Sequence, residues 1–244
     1  MRPLAIDLFC GLGGWTKGLL DEGWECVGFD IEQHVYGEHR YPAQLVVQDV
    51  RTLHGSQFQT ADLIVASPPC QAYSYRAMPW KRAKELPPPD NSLFDSCFRI
   101  QREACEAAGR NIPIIVENVR GAQKWVGRAR WNFGNYYLWG DVPALMPTIS
   151  RKTILKPQPY ERRHGTGSWF AIDMKSARAG INNPADIATK VPGFRFDGSG
   201  RSFQTASCEA MKQRGSINRK FASAMIAKIP ETLSRYIAQA FKPS

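Results

Sequence analysis

The sequence predicts an α/β protein built on a doubly wound, mostly parallel sheet, with a small loop-rich appendage. Short apolar runs recur through the first half, helical patterns lie between several of them, and residues 141–218 are rich in Gly, Pro and Arg with little periodicity. The runs are LAIDLF (4–9), ECVGFDI (25–31), AQLVVQDV (43–50), DLIVAS (62–67) and IPIIVENV (112–119), and strands covered on both faces have this length and character. Between them, GWTKGLLDEG, IEQHVYGEHR and SLFDSCFRIQREACEAAGR place apolar residues near helical spacing, two of them ending in Gly. Alternation of this kind argues for a parallel sheet with helical crossovers.

A chain of 244 residues, 43% hydrophobic, is long enough for one sizeable domain and a smaller appendage. Its six cysteines, at 10, 26, 70, 97, 105 and 208, include no CxxC pair, which speaks against zinc spacing and a disulfide scaffold and for reduced thiols. No metal site is expected. The N-terminal MRPLAIDLF is too short for a signal peptide or a bilayer span, so a cytoplasmic protein with no membrane partner is expected. Charge is unevenly spread: residues 1–116 carry 11 Lys and Arg against 14 Asp and Glu, and residues 117–244 carry 21 against 8, within a net +10. A basic half beside a mildly acidic one suits a phosphate-backbone partner, although a solvated basic surface has the same composition.

Ligands of such sheets bind beyond the carboxyl ends of the strands. After the first strand, Gly11, Gly13 and Gly14 permit a tight turn and close approach of a ligand, or simply close helix packing. Asp30 ends the second strand 17 residues after Gly13, and Asp49 ends the third; an acidic residue about 20 positions on reaches ribose hydroxyls in this architecture, while a lone Asp is also a common cap. The fourth strand delivers SPPCQ, where Pro68 and Pro69 stiffen the corner that presents Cys70. The fifth ends in ENV, which brings Glu117 to the same edge. A reactive thiol needs partial exposure and surroundings that favour the thiolate, and a buried Cys packs as a small hydrophobe.

The segments DLFCGLGG, SPPCQAYS and VENVRG resemble the DNA (cytosine-5) methyltransferase family, in particular its short phage and prokaryotic members with roles such as restriction-modification. The likeness covers residues 4–140, with a fainter echo at 220–240. It implies a Rossmann-like, class I methyltransferase domain over 1–140, a small target recognition region over 141–218, and a C-terminal helix over 219–244 that returns to the catalytic domain. It further implies a monomeric enzyme that moves a methyl group from S-adenosyl-L-methionine, leaving S-adenosyl-L-homocysteine, to carbon 5 of a cytosine flipped out of double-stranded DNA.

In that chemistry Cys70 adds to carbon 6 of the ring and Glu117 holds a proton on ring nitrogen 3, so the Glu117 pKa is expected to rise. By the same resemblance Asp7, Phe9, Gly11, Gly13, Gly14, Asp30, Ile31, Asp49, Val50, Pro69 and Leu93 would line the cofactor, joined by Ser223 and its neighbour Ala224 near the C-terminus. Ser67, Gln71, Ser74 and Arg120 would meet the substrate, and Asn118 would hold the corner or merely stabilise a turn. Trp15 would flank the cofactor or only pack. The family's Gln-x-Arg-x-Arg segment is missing, and a gapless alignment leaves Asn135 at the cytosine carbonyl, with Arg130 as the alternative. The same chemistry on RNA or a free cytosine nucleotide, and a non-catalytic DNA-binding relative, are the other readings this sequence leaves open.

Overall fold

The computed structural model describes residues 2–77, 81–146, 224 and 227–243. Ser223 and nearly all of the 141–218 region lie outside these residues. Nearly all the described residues belong to one compact unit formed from Met1–Thr148 and Lys228–Ser244.

Strands β1 (Leu4–Leu8), β2 (Glu25–Asp30), β5 (Gln44–Val47), β6 (Leu63–Ala66) and β7 (Ile114–Asn118) coincide with the five apolar runs. A hairpin, β8 (Trp131–Phe133) and β9 (Tyr136–Gly140), follows them. The sheet order is β5, β2, β1, β6, β7, β9, β8. The first five strands are parallel, and β9 runs antiparallel to β7 and to β8. Every residue of β6 and β7 is buried, which is why neither strand shows polar alternation in sequence.

Side chains alternate across the sheet. Ile6, Leu8, Ile64, Ala66, Ile114 and Val116 share one face with Phe94, Cys97, Ile100 and Ala104 of helix α4 (Ser92–Ala108). That helix starts where the Asp90 carboxylate accepts from the Ser92 amide and hydroxyl, and it stops at Gly109 in the left-handed region. The opposite face belongs to helix α1 (Gly14–Asp21), whose Thr16 hydroxyl donates to the buried Asp7 carboxylate at 2.7 Å. Helix α6 (Glu231–Phe241; α2, α3 and α5 are the short helices Gln71–Arg76, Lys81–Lys84 and Gln123–Val126) packs on α1. It buries Leu233, Ser234, Ile237 and Ala238, Ser234 hydrogen-bonds the Trp15 carbonyl, and the Trp24 indole donates to the Ala238 carbonyl at 3.1 Å.

One expectation is corrected. IEQHVYGEHR is not a helix but a bend and a two-stranded ribbon, β3 (Val35–Tyr36) and β4 (His39–Arg40), turning at Gly37 with φ 61°. Its apolar residues Ile31 and Val35 are 67% and 47% exposed, so a helix here has no buried stripe to stabilise it, and most helical stability comes from such a stripe.

The α1–α6 contact is close enough to fix one residue. A Cβ on Gly18 would stand 2.5 Å from Ser234 Oγ and 2.6 Å from the Arg235 amide nitrogen. Helix propensity alone favours Ala over Gly by about 1 kcal/mol, whereas overpacking costs about 1–3 kcal/mol. Gly18→Ala is therefore expected to lower the urea midpoint with an unchanged m-value; a raised midpoint would show that the two helices separate freely.

Candidate active site

The register of the central strands builds the site. Ala66 pairs with Val116 across β6 and β7, so the next residues, Ser67 and Glu117, stand side by side. Both point to the face that carries Asp7 and α1. Slipping β7 by one residue would turn Glu117 into the apolar layer beneath α4.

Cys70 is half-buried and caps α2, its carbonyl accepting from the amides of Tyr73 at 3.1 Å and Ser74 at 2.9 Å. Pro68 is buried and Pro69 exposed, so the corner rises out of the sheet edge. Asn118, 1% exposed, donates from Nδ2 to the Pro68 carbonyl at 2.9 Å and accepts from the Val119 amide at 2.9 Å. One side chain thus fastens the cysteine corner to the strand that bears Glu117.

Burial pushes the Glu117 carboxyl up to about 8, with the Ser67 hydroxyl hydrogen-bonded to it and acting in the opposite sense. Its raised pKa is present without any bound base, and at neutral pH the group is mostly protonated. Burial also raises the Cys70 thiol, a hydrogen bond with Ser74 opposing and the nearby Glu117 adding to the rise. The corner offers partial exposure but holds the sulfur as a thiol, because it is drawn from water beside a carboxyl rather than a cation.

The cofactor-type residues gather at the ends of β1, β2 and β5. Gly11 has φ +50° and open space where a Cβ would stand. Its amide donates to Asp30 Oδ2 at 2.9 Å, and Asp30 Oδ1 accepts from the Glu32 amide at 3.3 Å with His34 Nε2 at 3.6 Å. Burial opposes charge on Asp30, yet the bonds from His34, Gly11 and Glu32 hold its carboxyl below the ordinary value. Phe9, with φ 58°, is the one non-glycine residue with positive φ among those described; such backbone costs of order 1–3 kcal/mol and collects at ligand sites. Ile31, next in the chain after Asp30, and Val47, its register partner on β5, are 67% and 56% exposed. An ionised carboxylate, an open glycine and two exposed apolar side chains at strand ends fit a nucleoside with a hydroxylated sugar.

Other residues lie differently. The Asp7 carboxyl is fully buried, raised to about 7 by that burial, with Thr16 opposing; its Oδ2 is held by Thr16 and its Oδ1 has no partner. Asp49 is gripped by Arg51, with Nη2 to Oδ2 at 2.6 Å. Val50 is buried in the apolar core cluster. Leu93 sits half-buried in the first turn of α4, Gly13 and Gly14 lead into α1, and Ala224 is helical and half-buried. Gln71 and Arg120 are exposed, and Ser74 is half-buried.

Asn135 lies exposed in the turn between β8 and β9. The Arg130 side chain is exposed where β8 begins, its amide donating to the Leu138 carbonyl at 2.9 Å, and β9 stands between β8 and β7. The residue on the Glu117 side of β9 is instead Tyr136, two positions from Leu138, which pairs with Glu117. Burial raises the Tyr136 hydroxyl to about 12, with Glu117 adding to the rise, and that hydroxyl donates to the Lys228 carbonyl at 3.3 Å. No local pattern marks Tyr136, whose place depends on the register of an antiparallel return strand.

The family model for C-5 cytosine-specific DNA methylase matches residues 4–127, just over half of the chain. The chain belongs to this family. No curated protein matches it. Among solved structures it is similar to a candidate DNA modification methyltransferase encoded within a prophage of E. coli, with 24% identity, 50% of this chain and 33% of that one covered, and a TM-score of 0.34. It is also similar to the Dnmt2 methyltransferase of S. pombe, with 17% identity, 52% and 37% covered, and a TM-score of 0.35. A third is the methyltransferase EhMeth of Entamoeba histolytica, with 18% identity, 52% and 41% covered, and a TM-score of 0.34. The chain spans about a third to two-fifths of the length of these proteins.

In this methylase family member, no group of three or more His, Cys, Asp and Glu side chains among the described residues is placed to hold a metal ion. Likewise no described helix is long and apolar enough to cross a membrane.

The protonated state of Cys70 is open to direct measurement. Alkylation of the Cys70 peptide in the free protein, followed by mass spectrometry, is expected to be slower at pH 7.5 than for a model thiol and to have its midpoint at higher pH. A rate equal to or above that of the model thiol at pH 7.5 would show that the corner stabilises the thiolate.

Proposed function

We propose that the protein transfers a methyl group to carbon 5 of cytosine in double-stranded DNA, with Cys70 as the nucleophile and Glu117 as the general acid. The observation that carries this reading is the pairing of a half-buried thiol at a stiff corner with a buried, mostly neutral carboxyl on the adjacent strand, within a chain of the C-5 cytosine-specific DNA methylase family.

Carbon 5 of cytosine is too electron-poor to attack an electrophile unaided. Cys70 loses its proton to water and its sulfur bonds to carbon 6, converting the ring to an enamine while Glu117 delivers its proton to ring nitrogen 3. Glu117 is suited to this because burial keeps it protonated up to about pH 8. S-adenosyl-L-methionine, when bound, supplies the electrophilic methyl group. Phe9, Gly11, Asp30 and Ile31 would hold it, the Asp30 carboxylate keeping lone pairs free for ribose hydroxyls beyond those used by Gly11 and Glu32. Once carbon 5 is methylated, its proton passes to water, the electron pair left behind expels the Cys70 sulfur as thiolate, and nitrogen 3 returns its proton to Glu117.

Asn118 acts on Cys70 through the Pro68 carbonyl and is a positioning residue. DNA as the substrate is supported by the basic balance of residues 117–244, 21 Lys and Arg against 8 Asp and Glu. The 141–218 stretch, where basic residues alternate with aromatics, is the natural place for sequence recognition.

Bisulfite sequencing of DNA from cells expressing the protein tests the reaction and reads the target. Methylated cytosines are expected in a fixed sequence context and should vanish with Cys70→Ala. With purified protein, the methylation rate should rise with pH as Cys70 ionises and stop rising above about 8, where Glu117 loses its proton. Methylation that survives Cys70→Ala, or transfer to RNA or dCMP in preference to duplex DNA, would overturn the reading.

A further inference from the structure

We propose that Trp15 and Ser67 aim the Glu117 proton: the buried indole N–H fixes the Ser67 hydroxyl as a donor to one carboxyl oxygen, so that the other oxygen carries the proton to the bound base. The inference rests on Glu117 as the acid of the reaction proposed above, and it gives a task to two residues that the covalent chemistry does not require.

Trp15 is 2% exposed and sits in the first turn of α1, directly after Gly13 and Gly14. Its Nε1–H donates to Ser67 Oγ at 3.0 Å. An indole nitrogen only donates, whereas a serine hydroxyl has one hydrogen and two lone pairs. With Trp15 on a lone pair, the hydroxyl hydrogen is free to turn to its other partner, the Glu117 carboxyl beside it. A protonated carboxyl has one O–H and one carbonyl oxygen, and only the latter accepts well. Ser67 therefore marks its partner oxygen as the carbonyl and leaves the proton on the second oxygen.

Neither link is accidental to the fold. Ser67 reaches Glu117 because β6 and β7 pair in register, and it reaches Trp15 because α1 covers the same sheet face. Without Trp15 the hydroxyl would be able to rotate and accept from Glu117, turning the proton away from the cleft. The chain of bonds also joins the glycine turn proposed for the cofactor to the acid proposed for the base, through two hydrogen bonds.

Two other titratable groups face Glu117, the Cys70 thiol on the corner after β6 and the Tyr136 hydroxyl on β9. Neither is altered in the variants used here. The test is isotope-edited infrared spectroscopy of the free protein, with 13C-labelled glutamate and subtraction of Glu117→Gln to isolate the Glu117 carboxylic acid band. Ser67→Ala is expected to move the band to higher frequency, as its carbonyl loses a donor, and to raise the titration midpoint. Trp15→Phe is expected to move the band in the wild-type background and to produce no further shift in Ser67→Ala. Both variants should lower kcat for methyl transfer by roughly tenfold, a fraction of what a positioned acid contributes.

A Trp15 that only packs would give a Trp15→Phe shift of the same size with or without the Ser67 hydroxyl, or none at all; either result overturns the proposal, as does a Ser67→Ala band identical to wild type. The spectroscopic arm needs no turnover. A wild-type protein that fails to methylate cytosine removes the acid role of Glu117, while the spectra separately decide whether the hydrogen-bond chain exists.

Discussion

One buried hydrogen bond organises the reacting groups: the Asn118 amide on the Pro68 carbonyl at 2.9 Å. It spans from β7 to the loop after β6, and each strand end contributes one chemical group, the carboxyl of Glu117 and the thiol of Cys70. The Pro68–Pro69 peptide has no N–H, so its carbonyl is the one group of that peptide through which a hydrogen bond can anchor the corner. Asn118 is suited to the task, since it is 1% exposed and a buried amide without a partner is costly. The same residue satisfies its oxygen with the Val119 amide, which shapes the exit from β7.

Around that fastening the two faces of the sheet divide the work. The α4 face is apolar throughout, with Phe94, Cys97, Ile100 and Ala104 against Ile64, Ala66, Ile114 and Val116. On the α1 face lie the buried carboxyls of Asp7 and Glu117 and the half-buried Ser67. Burial there shifts acid groups strongly, and it does so to Asp7 and Glu117 alike. Glu117 lies two register positions nearer the carboxyl edge of the sheet than Asp7 and acts on the Cys70 thiol at the corner, whereas Asp7 adds to the rise of the buried Cys10 and Cys26 thiols. Asp7, deeper in β1, is tied to Thr16, whose hydroxyl lies 2.6 Å from that of Tyr41. Position along the strand separates a structural carboxyl from a chemical one.

Much of this was legible in the sequence, and the reasons are physical. Five buried parallel strands announce themselves as apolar runs, and strand ends are where ligands meet such sheets, so Gly11, Asp30, Cys70 and Glu117 were visible as a set. What escaped was set by tertiary context. The 31–40 segment carries apolar residues near helical spacing but has nothing to bury them against, and it forms a ribbon. Tyr136 comes to Glu117 through an antiparallel register that no local pattern encodes. The thiol state of Cys70 and the link from Trp15 to Ser67 depend on burial and orientation, which residue type alone does not report.

The proposed chemistry requires the sulfur of Cys70 to bond to the cytosine ring. Incubating the protein with S-adenosyl-L-methionine and a duplex of mixed sequence containing 5-fluorocytosine, then mapping peptides by mass spectrometry, tests this bond directly, because fluorine at carbon 5 prevents the release step. A stable nucleotide adduct on the Cys70 peptide is predicted. An adduct on another residue, or an unmodified Cys70 in protein that has methylated DNA, would contradict it.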